Sequence, residues 1–139
     1  MARRSFLVAL LGAVVMAAGC GGPMEPQELA RSVQTLESAA SEGALLAHDV
    51  ARDRTKATFV RVHSRDLSET VDHEAEKLAD ADANGEVAYR KSQAVDLANR
   101  ISQMLGQLQV FPGVETKAAV AERELKSSAK RAAAISDAL

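Results

Sequence analysis

The chain has few aromatic side chains: no tryptophan, one tyrosine and three phenylalanines in 139 residues. It also has only three prolines. Alanine, in contrast, makes up about a fifth of the sequence. Alanine is the strongest helix former, whereas strands are enriched in aromatic and β-branched residues. The composition therefore predicts an all-α protein.

Cysteine is nearly absent too, and the single Cys20 excludes a disulfide within the chain. The apolar run over residues 6–18 is shorter than the roughly 20 residues that a membrane-spanning helix needs. Arg3 and Arg4 precede this run, and small residues follow it. A basic start, a short apolar run and a small-residue end are typical of a secretory signal peptide.

The segment Ala17-Ala18-Gly19-Cys20 resembles the lipobox of bacterial lipoproteins, with Ala17 where leucine is preferred. The resemblance implies that signal peptidase cuts between Gly19 and Cys20 and that the Cys20 thiol carries a diacylglyceryl group. Thiol chemistry suits this step because the thiolate is a strong nucleophile. We therefore expect residues 1–19 to be removed. The mature protein is then lipid-anchored in the cell membrane or outer membrane, facing the periplasm or the cell exterior.

The export route has two readings. Residues 3–7, Arg-Arg-Ser-Phe-Leu, resemble the twin-arginine export motif, whereas Ala2 and Val8 depart from it. Two adjacent arginines are also common at the start of ordinary signal peptides, so the general secretory route is favoured and the twin-arginine route is the alternative. Gly21 after the cysteine leaves the choice of membrane open.

The charge balance limits the partners of the mature chain. The sequence has 17 basic and 19 acidic residues, and loss of Arg3 and Arg4 with the signal peptide leaves a formal charge near −4. Nucleic acid calls for a basic surface, and anionic lipid headgroups attract clustered cations. We therefore expect no nucleic-acid partner, and a membrane contact made through the lipid on Cys20.

The rest of the chain divides into a tether and a helical domain. Residues 20–26 contain two glycines and two prolines, which predict a short flexible tether. Over residues 27–139, apolar or small side chains recur in steps of three and four, the heptad pattern of packed helices. The predicted helices span residues 27–51, 56–81, 86–110 and 114–138.

These matched lengths predict the architecture. Each helix is about 37 Å long, and short connections favour antiparallel neighbours. We expect an antiparallel up-down-up-down four-helix bundle with heptad-type seams. Heptad seams also suit packing between helices of different chains, so the pattern is compatible with a homo-oligomer as well.

Two details of the bundle depend on single residues. Residues 52–55 interrupt the first seam without glycine or proline, and a tight turn in which Asp53 or Thr55 caps the next helix is favoured over one continuous helix. On the second helix, Phe59 and Val62 are predicted to widen the apolar face. Glu74 falls on the same seam and is expected at its edge, beside a lysine or arginine.

No motif of an enzyme or cofactor site stands out. The chain lacks Cys-x-x-Cys-His, Glu-x-x-His repeats, His-Glu-x-x-His and a glycine-rich phosphate loop. His48 and His63 lie seven residues before and eight after Thr55, so across a turn they form a candidate zinc or copper site. The sequence favours a non-enzymatic binding, scaffold or interaction module without a cofactor, whose envelope protein partner is unknown. The alternative is a metal- or cofactor-binding bundle.

Overall fold

A computed structural model describes residues 22–139 as four helices joined by short turns. The all-α prediction is confirmed, and each predicted helix end lies within one residue of the observed one. The signal peptide, Gly19 and Cys20 lie outside the described residues. The helices are α1 Pro26–Val50, α2 Ala57–Asp80, α3 Gly85–Val110 and α4 Glu115–Asp137.

The segment before α1 is held against the bundle. The Met24 side chain is buried, and its backbone N–H donates a hydrogen bond to the carbonyl oxygen of Asp82 at 2.7 Å. Pro26 is the first helical residue, a position that suits proline because no helical N–H is lost there. The prediction of a flexible tether up to residue 26 is therefore wrong from Met24 onward, where the chain is already docked against the bundle.

The turn between α1 and α2 is a tight one, as the sequence favours. The N–H of Arg54 donates to the carbonyl oxygen of Asp49 at 2.9 Å, and the N–H of Asp53 donates to the carbonyl three residues before it at 3.1 Å. This pair of bonds is a Schellman motif, with Asp53 in the left-handed region at φ 52°. Neither Asp53 nor Thr55 caps α2, because the N-cap position is Lys56 and it makes no side-chain cap bond. The capping hypothesis is wrong.

The four helices alternate in direction around a continuous core, which confirms the predicted up-down-up-down bundle. Helix α1 packs against both neighbours, α2 and α4, and also reaches α3 across the diagonal. Helices α2 and α4 occupy the other two corners and do not contact each other. Helix α1 is therefore the central helix of the bundle.

Burial along α1 reflects its three partners. Every residue of the predicted seam is buried, and a second buried stripe of Ser32, Ala39 and Leu46 runs beside it at seven-residue spacing. Ala44 is buried as well. The sequence reading missed this second stripe because a heptad seam assumes one packed face. The seam residues are Leu29, Val33, Leu36, Ala40, Gly43, Ala47 and Val50.

Helix α2 has a narrower buried face. Phe59 is 56% exposed and Val62 is 46% exposed, so the prediction that they widen the packed face is wrong. The physical reason is that α2 contacts only α1 and α3, which cover a single stripe. Glu74 is partly buried at the edge of this stripe, and its carboxylate lies 3.5 Å from the Lys77 ammonium, as predicted.

Gly43 is a point of close approach between α1 and its partners α3 and α4. A Cβ atom placed on Gly43 lies 2.7 Å from Cδ2 of Leu105 on α3 and 3.2 Å from Cδ1 of Leu125 on α4. Both leucines are fully buried. A larger side chain at this position therefore requires both leucines to shift inside a packed core.

We predict that Gly43→Val destabilises the bundle by about 1–3 kcal/mol through overpacking. Leu105→Ala alone costs about 2–5 kcal/mol because it leaves a cavity. In the double variant the valine methyl groups fill part of that cavity, so the loss is smaller than the sum of the two single losses. Urea unfolding of the four proteins measures this coupling.

Gly106→Ala on α3 is the matched control. No heavy atom lies within 4 Å of the added Cβ, so the helix gains alanine's propensity, up to about 1 kcal/mol, without a clash. Additive losses at Gly43 and Leu105 would contradict the close approach.

Candidate functional site

The bundle has two chemically different ends. The N-terminal end comprises residues 22–25, the α2–α3 turn at 81–84 and the C-terminus at 138–139. The distal end comprises the α1–α2 turn at 51–56 and the α3–α4 turn at 111–114. Helices of 23 to 26 residues separate the two ends by about 36 Å.

Exposed large apolar side chains gather toward the distal end. Residues 22–139 contain eight exposed large apolar side chains, and of these only Tyr89 lies in the half of the bundle nearer the N-terminal end. Exposed apolar residues scattered singly are ordinary on protein surfaces, whereas these are concentrated in one half of the bundle. The others are Leu45, Phe59, Val62, Val110, Phe111, Val114 and Val120.

Basic side chains accompany this apolar group. Lys117 places its ammonium 4.1 Å from the centroid of the Phe111 ring, a cation–π contact. Residues 53–56, with Arg54 and Lys56 among them, line a shallow depression together with Phe59. We call Phe59, Val110, Phe111 and Val114, with Arg54, Lys56 and Lys117, the distal surface. Asp53 in the α1–α2 turn and Glu115 at the start of α4 offset part of its positive charge.

His48 belongs to a charged cluster between α1 and α4. Its Nδ1 lies 3.0 Å from Oε1 of Glu122, and the Lys126 ammonium donates to the same oxygen at 2.6 Å. Arg52 lies 3.6 Å from the other carboxylate oxygen. Only 14% of the Glu122 side chain is exposed. The hydrogen bonds from Lys126 and then from His48 lower the pKa of Glu122 from 4.5 to about 2, against the opposing effect of burial.

The His48 ring has two competing contacts at one nitrogen. Nδ1 also lies 2.7 Å from Nη1 of Arg52, which can only donate. With its proton on Nδ1, His48 donates to Glu122. With its proton on Nε2, it accepts from Arg52 instead. The position of this proton therefore selects which neighbour the ring binds.

His63 lies between α2 and α1. Its Nε2 is 2.8 Å from Oε1 of Glu42, and its ring stacks on Phe59 with centroids 5.3 Å apart and planes 19° apart. The structure thus directs His48 to α4 and His63 to α1, and does not bring the two rings to a common site. Within residues 22–139, no three His, Cys, Asp or Glu side chains lie together in a position to hold a metal ion.

The predicted anchor residues, Gly19 and Cys20, lie outside the described part of the chain. None of the helices α1–α4 is long and apolar enough to cross a membrane. The sequence reading missed the distal surface, although the apolar residues beside the turns at Phe59 and Phe111 were visible. It also missed Glu122 and Glu42, the carboxylate partners of His48 and His63, because both pairings depend on how the helices pack. His48 and Glu122 are 74 positions apart in the sequence.

We predict that Glu122→Gln lowers the free energy of unfolding at neutral pH by about 1–2 kcal/mol, because it removes a partly buried charge-assisted network. The folded pKa lies below the ordinary value, so the carboxylate stabilises the fold fully above about pH 4.5 and loses this effect as the pH falls toward 2. The difference between variant and wild type should therefore shrink over this range. Urea unfolding at several pH values measures it.

Glu124→Gln on the same helix is the control. Glu124 is exposed and has no ion-pair partner among residues 22–139, so we expect a change of a few tenths of a kcal/mol at most. An equal, pH-independent loss in both variants would show that the Glu122 network does not stabilise the bundle.

The chain was compared with protein families, curated proteins and solved structures. No family model, curated protein or solved structure matches it.

Proposed function

We propose that this protein is a membrane-anchored envelope lipoprotein whose helical bundle is a non-enzymatic interaction module. The lipid on Cys20 supplies the membrane attachment, and the distal surface holds an envelope protein partner. The one-sided distribution of exposed apolar side chains is the observation that carries the proposal.

The path of the chain supports this orientation. Met24 is fixed to Asp82 at the N-terminal end, and residues 22 and 23 before it are exposed there. The distal surface lies at the opposite end, about 36 Å away along the helices. An anchor at one end and a contact surface at the other are the arrangement that a tethered binding module requires.

The chemistry of the distal surface favours a protein partner that combines apolar and acidic side chains. Aromatic residues and arginine are enriched at protein interfaces, and apolar contact there provides most of the stabilisation. Arg54 and Lys56 have no ion-pair partner among residues 22–139, which leaves both cations free to meet carboxylates. Complementary charge of this kind increases the association rate and selects among partners.

The anchor is tested by the intact mass of the protein extracted from its native membrane. We expect a chain that begins at Cys20 and carries the mass of a thioether-linked diacylglyceryl group. Cys20→Ala should abolish the lipid and leave the signal peptide uncleaved. A membrane-extracted chain with an unmodified Cys20, or with a different first residue, would overturn the anchor.

The contact surface is tested by photo-crosslinking in the native membrane. A photoreactive phenylalanine analogue in place of Phe59 or Phe111 should crosslink to one envelope protein, which mass spectrometry then identifies. Tyr89 is the matched control position, because it is 57% exposed against 56% for Phe59 but lies toward the N-terminal end. Lys56→Glu in the crosslinking chain should lower the yield severalfold, whereas Lys130→Glu on α4 should leave it unchanged.

Two results would overturn the proposed contact. Equal crosslinking from positions 59 and 89 would mean that the distal surface has no preferred partner. Crosslinks to a second copy of this chain would assign the distal surface to self-association instead.

A further inference from the structure

A groove between α3 and α4 has a composition distinct from the rest of the surface. Its volume is about 370 Å³, near the lower end of the range for small-molecule sites. Its floor includes Leu97 and Ile135, which are 3% and 7% exposed. Three arginines surround this apolar floor: Arg90 and Arg100 from α3, and Arg131 from α4.

The sequence explains why the arginines converge. Arg90, Leu97 and Arg100 follow steps of seven and three, so they share one face of α3. Arg131 and Ile135 are one turn apart on α4. The contact between α3 and α4 buries the two apolar residues and leaves the arginines at the rim.

Arg90 is held in place at the rim. Its Nε donates to Glu86 at 2.8 Å, its Nη1 donates to Gln93 at 3.4 Å, and its guanidinium lies 5.5 Å from the centroid of the Tyr89 ring. These contacts leave Nη2 without a partner among residues 22–139. A fixed guanidinium with a free N–H edge binds an oxyanion at a low cost in side-chain entropy.

The other two arginines have still more donors available. Neither Arg100 nor Arg131 has an ion pair or a side-chain hydrogen bond in the described part of the chain. Asp96 also lines the groove, yet it lies beyond ion-pair distance of all three arginines. The groove is lined by three guanidinium groups and one carboxylate, and the Glu86 carboxylate beside Arg90 reduces the local formal charge to +1 in a protein that is acidic overall.

We propose that this groove is a binding site for a small organic phosphate monoester. Near neutral pH a phosphate monoester carries between −1.5 and −2 charges, which are attracted to the excess of arginines, and the guanidinium forks of Arg100 and Arg131 match its oxygens. The apolar part of the ligand lies on Leu97 and Ile135. The site goes beyond the proposed interaction with an envelope protein, because it is on the side of the bundle and outside the distal surface.

The test uses the full chain in nonionic detergent and phenyl phosphate as the probe. We expect amide NMR signals of residues 90–100 and 131–135 to shift in a saturable manner. Benzoate, with a single charge, and inorganic phosphate, without an apolar part, should each bind more weakly. Arg131→Gln should weaken phenyl phosphate binding by about tenfold, the loss expected for one charge-assisted contact.

Arg123→Gln is the matched control, because it removes the same charge from an exposed position on the same helix. Its affinity for phenyl phosphate should equal that of the wild type, and circular dichroism checks that both variants fold. Equal losses of phenyl phosphate affinity in the two variants would show that binding reflects general charge attraction, and the proposed site would be wrong. The absence of saturable shifts in the groove would also overturn the site.

Two competitors distinguish the source of the phosphate. Dihexanoyl phosphatidic acid represents a lipid headgroup, and butyl phosphate represents a soluble ester with an apolar part. Displacement of phenyl phosphate by the first alone assigns a lipid ligand, and displacement by the second alone assigns a soluble one. Displacement by both means that the site recognises the phosphate monoester group from either source. If neither competitor displaces the probe, the groove recognises the aromatic ring of phenyl phosphate rather than its phosphate group, and the proposal is wrong.

Discussion

The close approach of three helices to α1 is the constraint on which the bundle depends. The absence of a side chain at Gly43 of α1 lets Leu105 and Leu125 enter from α3 and α4. A shorter distance between helix axes increases contact in a chain that has almost no aromatic residues to fill a wider core. Contact between α1 and α3 across the diagonal follows from the same spacing, and α2 and α4 stay apart.

Much of this arrangement could be predicted from the periodicity of the sequence. The helix ends and the α1 seam were predictable because apolar spacing and turn residues are local signals. The burial of Ser32, Ala39 and Leu46 was not, because it requires knowledge that α1 has three partners. Phe59 is exposed because α2 contacts only two other helices, α1 and α3, and the sequence does not show this number either. His48 and His63 show the same limit in the candidate site: their spacing suggested one pair, whereas helix packing gives each ring its own carboxylate.

Net charge conceals the way in which charge is distributed. The chain is acidic overall, yet the distal surface and the α3–α4 groove both carry more cations than anions. Overall acidity argues against a broad contact with nucleic acid or anionic headgroups. It does not argue against a local site for an acidic protein surface or a single phosphate group, because screening limits charge interactions to about 8–10 Å.

The docking of Met24 has a geometric consequence for the proposed anchor. If Cys20 carries the lipid, only residues 20–23 are left as a link between the acyl chains and the folded bundle. Four extended residues reach at most about 14 Å. A link of that length keeps the N-terminal end next to the headgroups. The bundle as a whole therefore stays close to the bilayer surface. The accessible zone for the distal surface is then set by the tilt of a rod about 36 Å long. A change in the number of residues before Met24 would alter that zone without altering any contact within the bundle.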